Sequence, residues 1–147
     1  MSPEIDYVGI DIVEELIEHN RRVYGSTNVS FRTLDIIEDP VPDGELCLLR
    51  QVLQHLSNEQ IQKVLRNLRG YRYVLVTEHY PAPESFTRPN VDKPCGEDVR
   101  IYDGSAVYLD LPPFNQTISA SLLDVDVGPG LVRPGERIRT FVLAGPQ

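Results

Sequence analysis

Short apolar runs alternating with helical stripes organise this chain. Residues 5–11 are mostly apolar, close on an acid and read as a strand. Over residues 12–24, Val13, Leu16, Ile17 and Asn20 share one helical face. Glu14, Glu15, Glu18, Arg21 and Arg22 lie mostly opposite, and Gly25 follows as a stop. Residues 28–34 alternate, Val29, Phe31 and Thr33 against Ser30, Arg32 and Leu34, which suits a strand near a sheet edge. This strand too ends on an acid, Asp35. Pro40, Pro42, Asp43 and Gly44 make a loop. Residues 45–49 form a continuous apolar run, expected of a strand buried on both faces. Residues 50–56 are a transition with some helical character. Ser57 and Gln60 then form a capping box, and Ile61, Val64, Leu65 and Leu68 keep helical spacing as far as Gly70. Residues 71–78 read as another buried strand, centred on Val74-Leu-Val76.

The pattern changes after Tyr80. Residues 81–100 hold four prolines and one glycine, with little periodicity. A loop of that length reads as a lid, a binding loop or a disordered connector. Residues 107–110 suggest a short strand before a Pro112-Pro-Phe-Asn115 turn. Residues 118–127 and 137–144 alternate and are joined through Gly128-Pro-Gly130 and Pro134-Gly135, which predicts a terminal β-hairpin. The order β-α-β-β-α-β plus hairpin predicts an α/β fold: a Rossmann-like, mostly parallel sheet with a C-terminal antiparallel β-hairpin. No internal repeat or second-domain boundary is visible, so residues 1–147 read as a single domain.

Composition narrows the function classes. The 147 residues suit one domain, and 41% hydrophobic content without tryptophan predicts an aliphatic core. A net charge of −8 argues against a nucleic-acid phosphate groove, as does the presence of only two lysines, Lys63 and Lys93. No secretory signal is apparent and no apolar run approaches the ~18 residues of a membrane span, so the expectation is a cytoplasmic, reduced setting. Cys47 sits in an apolar run and reads as a buried free thiol; Cys95 lies in the Pro/Gly-rich segment. Neither has metal-ligand or redox-motif spacing, so no metal is expected.

The acids at strand ends carry the sharpest chemistry. Ligands of parallel sheets bind beyond the carboxyl ends of the strands. A carboxylate at Asp11 can accept from two ribose hydroxyls, and one at Asp35 from an adenine amine. Ile12 and Ile36 follow these acids and could flank the ring. Each Asp could equally serve only as a helix N-cap. Arg50 and Gln51 would share the same edge. His55 could accept a proton near neutral pH, or pack locally. His79 and Tyr80 could line a substrate pocket, or lie on the surface. Dinucleotide-binding folds place a glycine-rich turn about 20 residues before such an acid. Here only six residues precede Tyr7.

The runs Tyr7-Val-Gly-Ile-Asp11, Phe31-Arg-Thr-Leu-Asp-Ile36 and Glu45-Leu-Cys-Leu-Leu-Arg-Gln-Val-Leu-Gln-His-Leu-Ser57 resemble class I S-adenosylmethionine-dependent methyltransferases. Leu109-Asp-Leu-Pro-Pro-Phe-Asn115 is similar to a segment of small members of that group. The resemblance spans most of the chain, from the family's second strand to its terminal hairpin. It implies S-adenosylmethionine as cofactor, with Asp11 on the ribose, Asp35 on the adenine amine, Ile12 and Ile36 beside the ring, and Arg50 and Gln51 near the methionine end. His55, His79 and Tyr80 are the candidates for catalytic groups. The family's first strand and glycine-rich loop have no match, and Gly128-Pro-Gly130 falls in the wrong context. By the resemblance, that strand would lie between the strands ending at Asp11 and Arg50. Its absence would leave backbone groups unpaired on both neighbours, at about 1–3 kcal/mol for each one buried. Three arrangements answer this: the chain is an N-terminally truncated piece of a longer enzyme, a second copy pairs its strands there as a homodimer, or the neighbours pair directly. The first is favoured, with Met1 to Glu4 then a mis-assigned or artificial start.

Two other functions fit the same residues. One is a non-catalytic, self-associating interaction protein on a methyltransferase scaffold; the other is a nicotinamide-dependent oxidoreductase, in which Asp35-Ile36 and Arg50-Gln51 have no evident use. The methyl acceptor is not encoded in any motif. Residues 81–100 with His79, Tyr80 and Phe114 would shape its pocket, and their mixed polarity suits a small molecule better than a nucleic acid.

Overall fold

The computed structural model describes residues 4–127 and 134–144. The Gly128-Pro-Gly130 segment proposed within the hairpin lies outside the described residues, as do Met1, Ser2 and Pro3. The chain divides into two compact units, Met1–Pro42 and Asp43–Gln147.

The first unit is a β-α-β motif. β1 (Tyr7–Asp11) and β2 (Val29–Thr33) run parallel, registered Tyr7 to Val29 and Asp11 to Thr33. A parallel pair needs a crossover, and α1 (Glu14–Tyr24) supplies it, packing on both strands. Of the apolar stripe only Ile17 is buried; Val13 becomes the N-cap residue and Leu16 stays exposed. Gly9 has a steric cause: a methyl group there would come within 2.5 Å of the Phe31 ring and 3.2 Å of the Tyr7 ring.

The second unit is a four-stranded sheet in the order β3-β4-β6-β5. β3 (Leu46–Arg50) and β4 (Tyr73–Tyr80) are parallel, joined through α2 (Asn58–Asn67). The predicted capping box is formed: the Gln60 amide donates to Ser57 Oγ at 3.2 Å and the Ser57 amide to Gln60 Oε1 at 2.9 Å. Ile61, Val64 and Leu65 are buried, as are Val74 and Val76 of β4. The hairpin β5 (Ile118–Asp126) and β6 (Arg137–Leu143) adds two antiparallel strands, β6 lying against β4.

Two strand expectations are corrected. Residues 107–110 form a turn, not a strand: the Leu111 amide donates back to Tyr108 O at 3.1 Å. β3 is not buried on both faces; Leu49 is buried, but Leu46 is 50% and Leu48 62% exposed. Leu46 and Leu48 share one face of the strand, and that face is left uncovered among the described residues. β3 is also an edge. Glu45 O and the Gln51 amide bond to β4, so the intervening Leu46, Leu48 and Arg50 turn their backbone groups the other way. No strand pairs with them among the described residues. The same holds for β1, where Tyr7 and Asp11 bond toward β2 and the backbone groups of Val8 and Ile10 face an edge with no partner strand.

The segment after β4 is ordered by side chains. Asn90, 7% exposed, donates through Nδ2 to Tyr108 O at 2.9 Å and Pro112 O at 2.8 Å, and its Oδ1 accepts the Tyr108 amide at 2.7 Å. Thr87 Oγ1 donates to Asp103 O, and Arg100 is buried among backbone carbonyls.

Candidate functional site

In the first unit, parallel pairing brings both acids to one edge. Asp11 closes β1 beside Thr33, and Asp35 lies two residues beyond it. The Leu34 amide donates to Asp11 O at 3.0 Å, tying the two strand ends together. Each carboxylate makes the same local bond. Asp11 Oδ1 accepts the Val13 amide at 2.9 Å, and Asp35 Oδ1 accepts the Ile37 amide at 2.8 Å. These turns explain why Asp stands at both places: a short acceptor captures the amide two residues on and turns the chain off the strand. The Asp35 amide in turn donates to Asp39 Oδ2 at 2.9 Å. Ile12 is 66% exposed directly after Asp11, and Ile36 is half-buried after Asp35. The edge thus pairs two acceptors with two apolar side chains. Those groups fit an adenosine: carboxylates to accept from hydroxyls and an exocyclic amine, aliphatic groups for a ring face.

In the second unit, Arg50 is exposed at the end of β3. Gln51 has φ +53°, a left-handed conformation rare for a side chain with a Cβ and worth about 1–2 kcal/mol of strain. Its amide is anchored on Thr77 O at 2.8 Å. A 3-10 turn, Leu53–His55, follows. His55 bonds to the segment after β4: Nδ1 lies 3.3 Å from Gly96 O, and its own carbonyl accepts from the Gly96 amide and from Lys93 Nζ.

His79 and Tyr80 point to opposite faces of β4, as strand neighbours must. Tyr80 belongs to the core. It is 3% exposed, its hydroxyl donates to Val107 O at 2.8 Å, and its ring meets Tyr108 and Phe141 edge to face. Burial raises its hydroxyl far above the ordinary range. His79 lies with Nε2 3.2 Å from Glu136 Oε2. Burial lowers its pKa, and Glu136 offsets part of that.

Sequence reasoning passed over Glu78 and Arg100. Glu78 is 1% exposed at the carboxyl end of β4, and its Oε1 accepts the Leu53 amide at 3.0 Å. Burial pushes its carboxyl up to about 8, against the pull of the Leu53 and Gln54 amides and the Arg100 charge. Arg100, 1% exposed, donates through Nη2 to Leu56 O at 2.5 Å and through Nη1 to Val91 O. The available signal for Glu78 was a charged residue in line with Val74 and Val76. Cys47 is a half-buried thiol, raised by burial, and Cys95 is exposed. Among the described residues no cluster suits a metal ion, and no helix is long and apolar enough to cross a membrane.

No protein-family model and no curated protein matches the chain. Solved structures do. The chain is similar to the N-methyltransferase NodS from Bradyrhizobium japonicum WM9 in complex with S-adenosyl-L-homocysteine, at 11% identity and TM-score 0.64, covering 97% of this chain and 67% of that one. It is similar to TehB from Haemophilus influenzae at 12% identity and TM-score 0.59, covering 96% of this chain and 50% of that one. It is similar to human N-acetylserotonin methyltransferase in complex with S-adenosylmethionine at 16% identity and TM-score 0.53, covering 98% of this chain and 42% of that one. At such identities the likeness speaks for the fold, and the chain has the α/β, Rossmann-like fold of class I S-adenosylmethionine-dependent methyltransferases.

Proposed function

We propose that this chain binds S-adenosylmethionine and belongs to an enzyme that transfers its methyl group to a small molecule. The observation that carries the reading is the placement of Asp11 and Asp35 on one edge of two adjacent parallel strands, each followed by an isoleucine. In this reading Asp11 accepts from the ribose hydroxyls, Asp35 accepts from the adenine amine, and Ile12 and Ile36 cover the ring. Arg50 and Gln51 belong to the second unit, and their role near the methionine end is what the family resemblance implies. The cofactor supplies an electrophilic methyl group on a sulfonium, whose departure as a neutral thioether asks little of acids or bases. The protein's part is then to bind and orient. His55 and His79 are the histidines that could take a proton from an acceptor. The test is calorimetric titration with S-adenosylhomocysteine. Micromolar binding that Asp11→Ala weakens at least tenfold supports the reading; an unchanged affinity in Asp11→Ala removes it.

A second reading, self-association without catalysis, has its own observation. Natural edge strands carry charges or bulges that discourage pairing. β5 does both, with register shifts after Ile118 and Ser121 and with Asp124 and Asp126 paired to Arg137. β3 carries Leu46-Cys-Leu-Leu49 on an edge whose one charge, Arg50, stands at its end. We propose that another strand, from a second copy in the simplest case, covers it. Light scattering tests this: a dimer that Leu48→Lys converts to monomer supports it, and a monomer at high micromolar concentration ends it.

A further inference from the structure

We propose that Glu78 is a positioning residue whose carboxyl, with Arg100 at the opposite end, clamps the turn that carries Arg50 and Gln51 beyond β3. Its consequence for ligand binding rests on the cofactor reading above; the clamp itself is geometric.

The turn begins under strain, at left-handed Gln51. It is held to β4 at two points and closed on itself at a third. The Gln51 amide donates to Thr77 O at 2.8 Å, the Leu53 amide to Glu78 Oε1 at 3.0 Å, and Gln54 Nε2 to Gln51 O at 3.4 Å. Two of these acceptors are neighbours on β4, so the turn is pinned to the strand beside its own. At its far end Arg100 donates to Leu56 O at 2.5 Å and also to Val91 O. The Gly96 amide donates to His55 O at 3.1 Å. One buried guanidinium therefore ties the turn to the segment after β4.

A carboxyl is an expensive way to fill this position. Its row on β4 is otherwise Val74, Val76 and Tyr80, all buried. An aliphatic side chain would pack there without desolvating a carboxyl, but it would leave the Leu53 amide without an acceptor. Glu78 Oε2 and Arg100 Nε are buried with no hydrogen-bond partner among the described residues, so the clamp is retained despite incomplete pairing. What it secures is the geometry of a strained turn at the ligand-facing edge of the sheet.

The experiment is amide hydrogen exchange with S-adenosylhomocysteine calorimetry on the full chain. In Glu78→Leu the Leu53 and Gly96 amides should exchange about tenfold faster or more, the loss of one well-made hydrogen bond, and ligand affinity should fall by a similar factor. The Val76 amide should stay protected. Glu78→Gln keeps an acceptor oxygen and should restore both readouts. If Glu78→Leu does not fold, Arg100→Lys carries the test, releasing Gly96 while leaving Leu53 protected. Unchanged Leu53 exchange in Glu78→Leu overturns the proposal, and so does faster exchange with undiminished affinity. If the unsubstituted chain does not bind the ligand, the cofactor reading falls while exchange at Leu53 and Gly96 still decides the clamp.

Discussion

His79 and Glu136 meet with Nε2 and Oε2 3.2 Å apart, at the joint between the end of β4 and the start of β6. Burial opposes the charged imidazole and the carboxylate favours it, and burial is the larger effect. His79 should therefore titrate below the ordinary 6.5. Its native pKa is depressed, so the unfolded chain binds the proton more readily. Stability from this group is present above about pH 6.5 and declines as pH falls toward the native pKa. Removing the carboxylate in Glu136→Gln should lower the pKa further. Proton NMR of the imidazole ring over pH 4 to 8 reads both values, and an upward shift in Glu136→Gln would contradict the assignment.

Glu78 has the opposite sign. Its native pKa of about 8 stands above the ordinary 4.5. Between those values the folded chain holds a proton that the unfolded chain releases. Stability is full below the lower value and falls as pH rises toward the upper one, by at most about 1.4 kcal/mol per pH unit. Glu78→Gln should flatten that slope and leave the variant more stable than the parent at pH 9. Urea unfolding at pH 5, 7 and 9 measures it; parallel slopes in the two proteins would show that the carboxyl is not held protonated.

These two groups mark the limit of what was legible. The strand–helix order, the Ser57–Gln60 capping box and the hairpin follow from local periodicity, and the sequence pattern carries them. Asp11 and Asp35 could be placed at strand ends for the same reason. Glu78 could not be assigned a partner, because the Leu53 amide reaches it only after β3, the turn and β4 have assembled. The exposure of Leu46 and Leu48 was equally hidden: an apolar run looks alike whether one face of its strand is covered or left open. The ordering of residues 81–115 rests on Asn90, Thr87 and Arg100 bonding to distant carbonyls, and periodicity holds no trace of that.

Tyr80 offers a clean separation of packing from chemistry. Its hydroxyl is spent on Val107 O, and its ring is enclosed by Tyr108, Phe141 and the Arg139 guanidinium, 4.8 Å from the ring centre. Tyr80→Phe keeps the ring and should lower stability by about 1 kcal/mol, one buried hydrogen bond. Under the proposed function, any methyl transfer per folded molecule should not change. A drop in such transfer in a fully folded Tyr80→Phe would return Tyr80 to the reacting groups.

Asn90 should be the least replaceable residue of the segment after β4. It sits at φ +54°, where asparagine is tolerated better than most residues, and it both donates and accepts. Its Nδ2 meets three carbonyls, those of Tyr108, Leu111 and Pro112, and its Oδ1 meets the Tyr108 amide. Asn90→Gly relieves the backbone and loses the bonds, so it isolates their contribution. Asn90→Ala loses both and should cost about 3 kcal/mol or more, since the abandoned partners are largely buried. Asn90→Asp is near in shape and should be worse than Asn90→Gly at neutral pH. It keeps the acceptor for Tyr108 but sets a carboxylate against the carbonyls of Tyr108 and Pro112, with no proton to offer them. Thermal unfolding and limited proteolysis within residues 81–115 rank the three. If Asn90→Asp matches the parent in both, the segment is held by something other than this side chain.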